Sequence, residues 1–382
     1  MGKYGLSILA LAVLAAPAAA EQLGVQLLGR WLAPETAPTA TYAGSTVLLR
    51  FRNSSTVSAD FIVADSRGSQ GLYIAVSVDG GKPVRVGLSR GPHPALVLAA
   101  GLSPAVHLVA VRKEGEPHFG ALQFANPKLE IGGRWERIVD DRPIVEVIGD
   151  SDATGICALG PDSPADAVSI YNSAWASQSA SWVALLEAAL AGAGHPVDMV
   201  DLAISGSTAR SEADSYDFTA PDFSDARFGE YSPPGHRHAS LVLLWGGAND
   251  RHAGGDLAAG APLTIENLSS FQHGVYRQIE KILARNPGVR ILLLSYIDTT
   301  IPDWKAAYDQ VLSLFNAEQR GRIFFLRVYD PKKKSDACEI DPKGHPNLAM
   351  HAAWAAQIFA WMIQPDVLRQ LDFPSGEQWY DD

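Results

Sequence analysis

Ile144-Val145-Glu146-Val147-Ile148-Gly149-Asp150-Ser151 is an apolar, largely β-branched run that stops at a Gly-Asp-Ser turn. Such a run reads as a buried strand, and turn residues at its end present a side chain to solvent. Ser151 is therefore a candidate nucleophile. Two further apolar runs end in polar loops of the same kind, at Ser205-Gly206 and at Gly246-Gly247-Ala248-Asn249-Asp250. A late loop, Asp341-Pro342-Lys343-Gly344-His345-Pro346-Asn347, completes the set.

Outward from Ser151, strand and helix alternate. The pattern predicts strands at 144–148, 197–204, 240–245, 290–297 and 322–328, with helices near 174–193, 264–285, 303–317 and 347–363. That order predicts an α/β fold with a parallel sheet covered on both faces and active groups on loops at the carboxyl ends of its strands. The three loops after the first three strands then open on one edge.

The N-terminal half has a different period. From about Gln22 to Leu129, short alternating runs are broken by turn residues, as in Ser45–Arg52, Gly71–Val78, Pro94–Ala99, Val106–Arg112 and Gly120–Phe124. Closely spaced strands without a helical segment predict an antiparallel β-sandwich of jelly-roll type. Val78-Asp79-Gly80-Gly81-Lys82-Pro83-Val84 reads as a hairpin turn within it. A polar hinge at about 132–142 separates the halves.

Lys3, the apolar stretch Leu6–Leu14 and the run Ala15-Ala16-Pro17-Ala18-Ala19-Ala20 read as a signal peptide over 1–20, cut before Glu21. A secreted or periplasmic protein without stable membrane association is expected. About 360 mature residues exceed the usual size of one core, so two domains are expected, a sandwich at 21–135 and a second domain at 143–366, with a tail at 367–382. A formal charge of −11 argues against nucleic acid or another polyanion as partner. No Cys/His set has zinc-ligand spacing, so neither metal nor cofactor is proposed.

A serine hydroxyl needs a base to take its proton and donors to hold the oxyanion formed at an attacked carbonyl. His345 is the candidate base, titrating near neutrality if its surroundings leave it unperturbed. Candidate donors are the Ser151 N–H, the Gly206 N–H and the Asn249 amide. Each has another reading: Gly206 also fits a turn glycine, and Asn249-Asp250 an N-cap pair. His351 reads as a helix residue rather than the base. Trp245, Trp304 and Trp354 are open to sugar stacking or to the core, with core favoured for at least two.

In these blocks the chain resembles the SGNH or Gly-Asp-Ser-Leu hydrolases, whose four blocks contribute Ser, Gly, Asn and His, here Ser151, Gly206, Asn249 and His345. The resemblance implies a flavodoxin-like three-layer α/β/α domain. Val76–Gly80, Arg112-Lys113-Glu114-Gly115-Glu116 and Gly120–Phe124 look like the jelly-roll domain of carbohydrate esterase family two. Together they imply an exported serine esterase that removes O-acetyl groups from polysaccharides of the xylan or glucomannan type, with an acetylated carbohydrate as its partner. A lipase or thioesterase, and a non-catalytic carbohydrate-binding protein, are the alternatives. Three positions depart from the family: Asp152 follows Ser151 where an apolar residue is common, Ala248 stands for a usual Thr, and Asp341 lies four residues before His345 rather than three. Asp341 is thus either the triad acid or a turn residue beside a Ser-His dyad. Cys157 and Cys338, six residues after Ser151 and seven before His345, are a candidate disulfide tethering the two loops in an oxidising compartment.

Overall fold

Residues 24–29, 31–32, 37–64, 71–138, 142–160, 172–209, 239–245, 249, 265–285, 288–297, 304–329, 336–337 and 345–371 are described by a computed structural model. The expected signal peptide, Cys338 and Asp341 lie outside them.

The first part is all β: β1 (Val25–Leu28), β2 (Trp31–Leu32), β3 (Thr39–Ala40), β4 (Thr46–Arg52), β5 (Val57–Ala64), β6 (Leu72–Val78), β7 (Val84–Leu88), β8 (Gly91–Ala99), β9 (Val106–Lys113), β10 (Ala121–Leu129) and β11 (Arg134–Trp135). They form two antiparallel sheets, ordered β1-β4-β9-β6-β7, with β11 on β4, and β2-β3-β10-β5-β8. Alternation drives this arrangement. In β5, Val57, Ala59, Phe61 and Val63 point inward while their neighbours stay partly exposed, and Phe61 meets its cross-strand partner Phe124 with ring centroids 5.7 Å apart. Each such side chain, fully buried, contributes roughly 1.5–3 kcal/mol. The expected hairpin joins β6 to β7, with Asp79 and Gly80 both at positive φ. Part of the expected hinge is not a linker, because β11 pairs with β4.

The second part contains β12 (Ile144–Ile148), α1 (Trp182–Gly192), β13 (Asp198–Asp201), β14 (Leu241–Trp245), α2 (Ile265–Arg285), β15 (Arg290–Ile297), α3 (Trp304–Ser313), α4 (Ala317–Arg320), β16 (Ile323–Tyr329), β17 (Asp336–Ala337), β18 (His345–Pro346), α5 (Leu348–Met362) and α6 (Pro365–Leu371). Five strands make a parallel sheet in the order β13-β12-β14-β15-β16. Strand alternation divides its side chains between two layers. Val145 and Val147 pack with Trp182, Leu186, Trp354 and Ile358 of α1 and α5. Ile144 and Ile148 pack with Phe271, Val275, Tyr308 and Val311 of α2 and α3 on the other face. No helix among the described residues is long and apolar enough to cross a membrane.

Two expectations are corrected. The helix expected from 174 starts at Trp182, capped by the Ser181 hydroxyl; the preceding backbone instead packs on the sandwich, where Arg85 donates to the carbonyls of Ala174 and Ala176 at 3.0 and 2.7 Å. The tail expected from 367 begins inside α6, whose Val367 joins the core.

The two parts interlock. Ile156, Cys157 and Ala176 sit in the sandwich core, and Tyr42 of the sandwich packs into the α2–α3 layer. Arg112 on β9 pairs with Glu187 on α1 at 2.6 Å.

Candidate active site

Ser151 follows β12 directly, and its loop is built by Asp150. The Asp150 carboxylate accepts the Asp152 N–H at 3.1 Å and its carbonyl accepts the Ala153 N–H at 3.1 Å, an Asx-type turn. Trp182 Nε1 donates to the Asp152 carbonyl at 3.1 Å. Further on, Gly155 has φ +71°, and a Cβ there would lie 2.3 Å from the Ser177 carbonyl oxygen, so only glycine lets the loop close on 172–181. Ser151 itself is 8% exposed.

Beyond β13, two more ladder-like bonds, Leu202 N–H to Val147 O and Ile204 N–H to Gly149 O, carry the chain alongside β12 to a turn. Ser207 N–H returns to Ile204 O at 3.1 Å and Gly206 sits at φ +79°, the pattern of a type II turn with glycine at its third position. Among the described residues, no atom beyond its chain neighbours lies within 4 Å of where a Gly206 Cβ would be. Two side chains clamp the turn. Asn249, beyond β14, donates from Nδ2 to Ser207 O at 3.0 Å, which leaves its second amide hydrogen for another acceptor. From the sandwich, Glu116 accepts the Ser205 N–H through Oε2 at 2.6 Å. Because β13, β12 and β14 are adjacent and parallel, Ser151, Gly206 and Asn249 emerge side by side at one edge.

His345 lies on β18, two residues before Asn347, which caps α5 by accepting the Met350 N–H. Its Nδ1 is buried without a hydrogen-bond partner among the described residues, although the residue as a whole is partly exposed. Burial pushes its pKa down to about 4, against the opposing charge of Glu116. Titration near neutrality, expected for an unperturbed imidazole, is thereby corrected. Among the described residues no hydrogen bond joins Ser151 to His345. His351 is fully buried, its Nδ1 accepting the Trp182 N–H at 3.2 Å, and burial followed by the His345 charge holds its pKa near 3. Trp245 and Trp354 are core residues, stacked in a row with Trp182 at centroid distances of 5.4 and 4.8 Å. Asp341 and the Cys338 end of the candidate disulfide fall outside the described residues; Cys157 is buried.

Glu114, Glu116 and Lys113 were legible only as part of a resemblance. A sharper signal was present, since a charged run closing the alternating strand β9 must find buried partners if the strand end is covered. Another cleft, of about 690 Å³, lies between the outer face of the β4 sheet and β13. Its Arg112 and Arg142 are already paired with Glu187 and Asp198.

A second Ser-His-Asp group sits at the rim of the sandwich. His107 Nδ1 lies 2.7 Å from Asp79 Oδ2, and Nε2 lies 3.2 Å from Ser103 Oγ and 3.1 Å from the Ser103 carbonyl. Both ring nitrogens face acceptors, so this imidazole carries two protons in its best-bonded form. The Asp79 hydrogen bond raises its pKa, against weak desolvation. With Nδ1 held by Asp79 and Nε2 by the Ser103 carbonyl, the group ties the start of β9 to the β6–β7 turn as a strand clip.

A model of the GDSL-like lipase/acylhydrolase family matches residues 147–353, more than half of the chain and the segment holding all four blocks. The chain belongs to this family. The carbohydrate esterase 2 N-terminal model matches residues 27–136 of the same GDSL hydrolase. Among solved structures, the fold is shared with an acetyl xylan esterase from the rumen bacterium Butyrivibrio proteoclasticus, TM-score 0.71 at 14% identity, covering 92% of this chain and 96% of that one. A family two carbohydrate esterase from Clostridium thermocellum in complex with cellohexaose gives TM-score 0.68 at 17% identity, covering 91% and 100%. One from Cellvibrio japonicus gives 0.67 at 19%, covering 93% and 97%. No curated protein matches the chain in sequence.

Proposed function

We propose that this GDSL hydrolase is an exported serine esterase that removes O-acetyl groups from a carbohydrate, through an acyl-enzyme and without a cofactor. Ser151 Oγ attacks the acetyl carbonyl while His345 takes its proton. The oxyanion is held by the N–H groups of Ser151 and Gly206 and by the second amide hydrogen of Asn249. His345 then returns the proton to the departing sugar hydroxyl, and water releases acetate by the same route. The observation that carries this reading is the emergence of Ser151, Gly206 and Asn249 from three adjacent parallel strands. Burial lowers the His345 pKa to about 4, so above that pH the ring is neutral and has a lone pair to accept the serine proton. The sandwich domain and the ligand of the Clostridium relative favour carbohydrate as the acceptor side. Export rests on the N-terminal sequence alone.

The purified mature protein is tested on a chromogenic acetyl ester, on its butyryl and octanoyl homologues, and on acetylated xylan and glucomannan oligosaccharides. Acetyl esters turning over fastest, with acetate released from the oligosaccharides, is the expected result. Equal or faster octanoyl hydrolysis moves the protein to the lipase class. Carbohydrate binding without acetate release makes it a binding protein.

A further inference from the structure

Glu116 brings a carboxylate from the sandwich to the candidate active site. Glu116 follows β9 in a turn, is 1% exposed, and presents its carboxylate to the turn that carries Gly206. Two buried neighbours hold its backbone. Lys113 Nζ, fully buried, donates to the carbonyl oxygens of Thr41, Gly115 and Glu116. Glu114 accepts hydrogen bonds from the hydroxyls of Ser177 and Ser179 and from the Ser179 N–H, and its own carbonyl takes the Gln178 N–H at 3.0 Å. The segment 113–116 is therefore fastened to the second part on one side and to its own lysine on the other.

The orientation of Glu116 decides what this fastening does. Its Oε2 takes the N–H of Ser205, an amide directly past the last bond to β12, which would otherwise be buried without an acceptor. Fixing that N–H fixes the Ile204–Ser205 peptide plane, the first plane of the turn that Ser207 N–H closes on Ile204 O, and so restrains the turn that presents the Gly206 N–H. The other oxygen, Oε1, makes no hydrogen bond and lies 3.3 Å from His118 Nδ1. The titratable groups around His345 among the described residues are Glu116 from the β9–β10 turn and His351 from α5.

We propose that Glu116 is a positioning residue supplied by the sandwich: its carboxylate, accepting the Ser205 N–H, holds the turn that carries Gly206, and its negative charge acts on His345. The sandwich is then part of the catalytic apparatus as well as a flank for substrate. Glu116 touches no reacting atom and acts through Gly206 and His345. The proposal deepens the esterase reading and rests on it for its kinetic consequence, whereas its structural consequence can be read without turnover.

Two variants separate geometry from charge. Glu116→Gln keeps an oxygen to accept the Ser205 N–H but loses the charge, and Glu116→Ala loses both. Each is measured for kcat and KM on the acetyl ester across pH, and for the titration of the His345 imidazole by NMR in the full mature chain. Glu116→Gln is expected to keep KM within about twofold, to lower kcat roughly tenfold, and to move both the acid limb and the His345 titration to lower pH, since a charge that favoured the imidazolium is gone. Glu116→Ala is expected to lose about a further tenfold in kcat, a part of what losing an oxyanion donor costs. A His345 titration unmoved in Glu116→Gln overturns the proposal, as do wild-type kcat values in both variants. If Glu116→Ala does not fold, Glu116→Gln decides alone. If the wild-type protein hydrolyses no ester, the esterase reading fails, and the His345 titration still supports or overturns the role of Glu116.

Discussion

His107 and His345 both answer to a carboxylate, one at the rim of the sandwich and the other at the edge of the parallel sheet, and they are driven in opposite directions. His107 is bonded directly to Asp79, which favours its protonated form. At His345 burial dominates, and Glu116 acts as an opposing charge that only partly offsets it, so the protonated form is disfavoured. A Ser-His-carboxylate grouping by itself therefore says little about chemistry. What distinguishes the regions is whether the imidazole is left with a lone pair at neutral pH, and that follows from desolvation and from how many of its nitrogens face acceptors.

The largest expected contrast lies between the two serines. Ser151→Ala should lower kcat/KM for acetyl-ester hydrolysis by about 10⁴-fold or more, since it removes the attacking oxygen. Ser103→Ala should leave it within about twofold, because its histidine is held by Asp79 and the Ser103 carbonyl in a structural clip. Steady-state kinetics on both variants, with circular dichroism to verify folding, checks the pair. A Ser151→Ala enzyme within tenfold of wild type breaks the comparison.

The histidines come next. His345→Ala should cost nearly as much as Ser151→Ala, because members of such a unit act together. In the wild-type protein kcat/KM should fall as pH drops through about 4, since only the neutral imidazole is a base. Burial that lowers a histidine pKa also makes acid destabilising. Between the unfolded value near 6.5 and about 4, the unfolded chain binds a proton that the folded one does not, so stability falls as pH falls through that window. An acid limb near 6.5 in kcat/KM, with folding intact, shows that the imidazole is solvated in solution.

Much of this was legible in the sequence because periodicity is local. The parallel strands appear close to their expected limits, and the Asx turn at Asp150 follows from Gly-Asp-Ser itself. Strand β5, though it alternates cleanly, was not singled out, since Val57–Ala64 carries Asp60 and Ser58 among its apolar residues. The polar links between the two parts were beyond local reading. Glu116 and Ser205 lie 89 residues apart, and Arg112 and Glu187 lie 75 apart. The lowered pKa of His345 was equally out of reach, because desolvation depends on what covers a ring, and the covering residues come from distant segments.

A smaller effect tests the turn. At φ +79° an alanine in place of Gly206 pays about 1–2 kcal/mol of backbone strain, though no atom of the described residues obstructs its Cβ. Strain relieved by rotating the peptide misaims the N–H, so Gly206→Ala should reduce kcat by roughly 10- to 100-fold, short of the full cost of a lost donor, with thermal stability little changed. Wild-type kcat in Gly206→Ala removes this N–H from the oxyanion site.

The smallest effect belongs to the clip. His107→Ala should leave kcat/KM within about twofold and lower stability by no more than about 1 kcal/mol, as for an ion pair near the surface. Its pH dependence has the opposite sign to that of His345. The folded His107 pKa is raised, so its contribution is fully present below the unfolded value near 6.5 and is lost as pH rises through the folded value. The Asp79 pKa is lowered, the bonds from Leu108 N–H and His107 outweighing desolvation, so its contribution disappears as pH falls through that lowered value. The stability difference between wild type and His107→Ala, followed by urea denaturation, should therefore peak in mildly acidic solution and shrink towards alkaline pH. A difference that grows above pH 7 would mean that His107 is neutral in the folded protein, and Ser103 would then have a base after all.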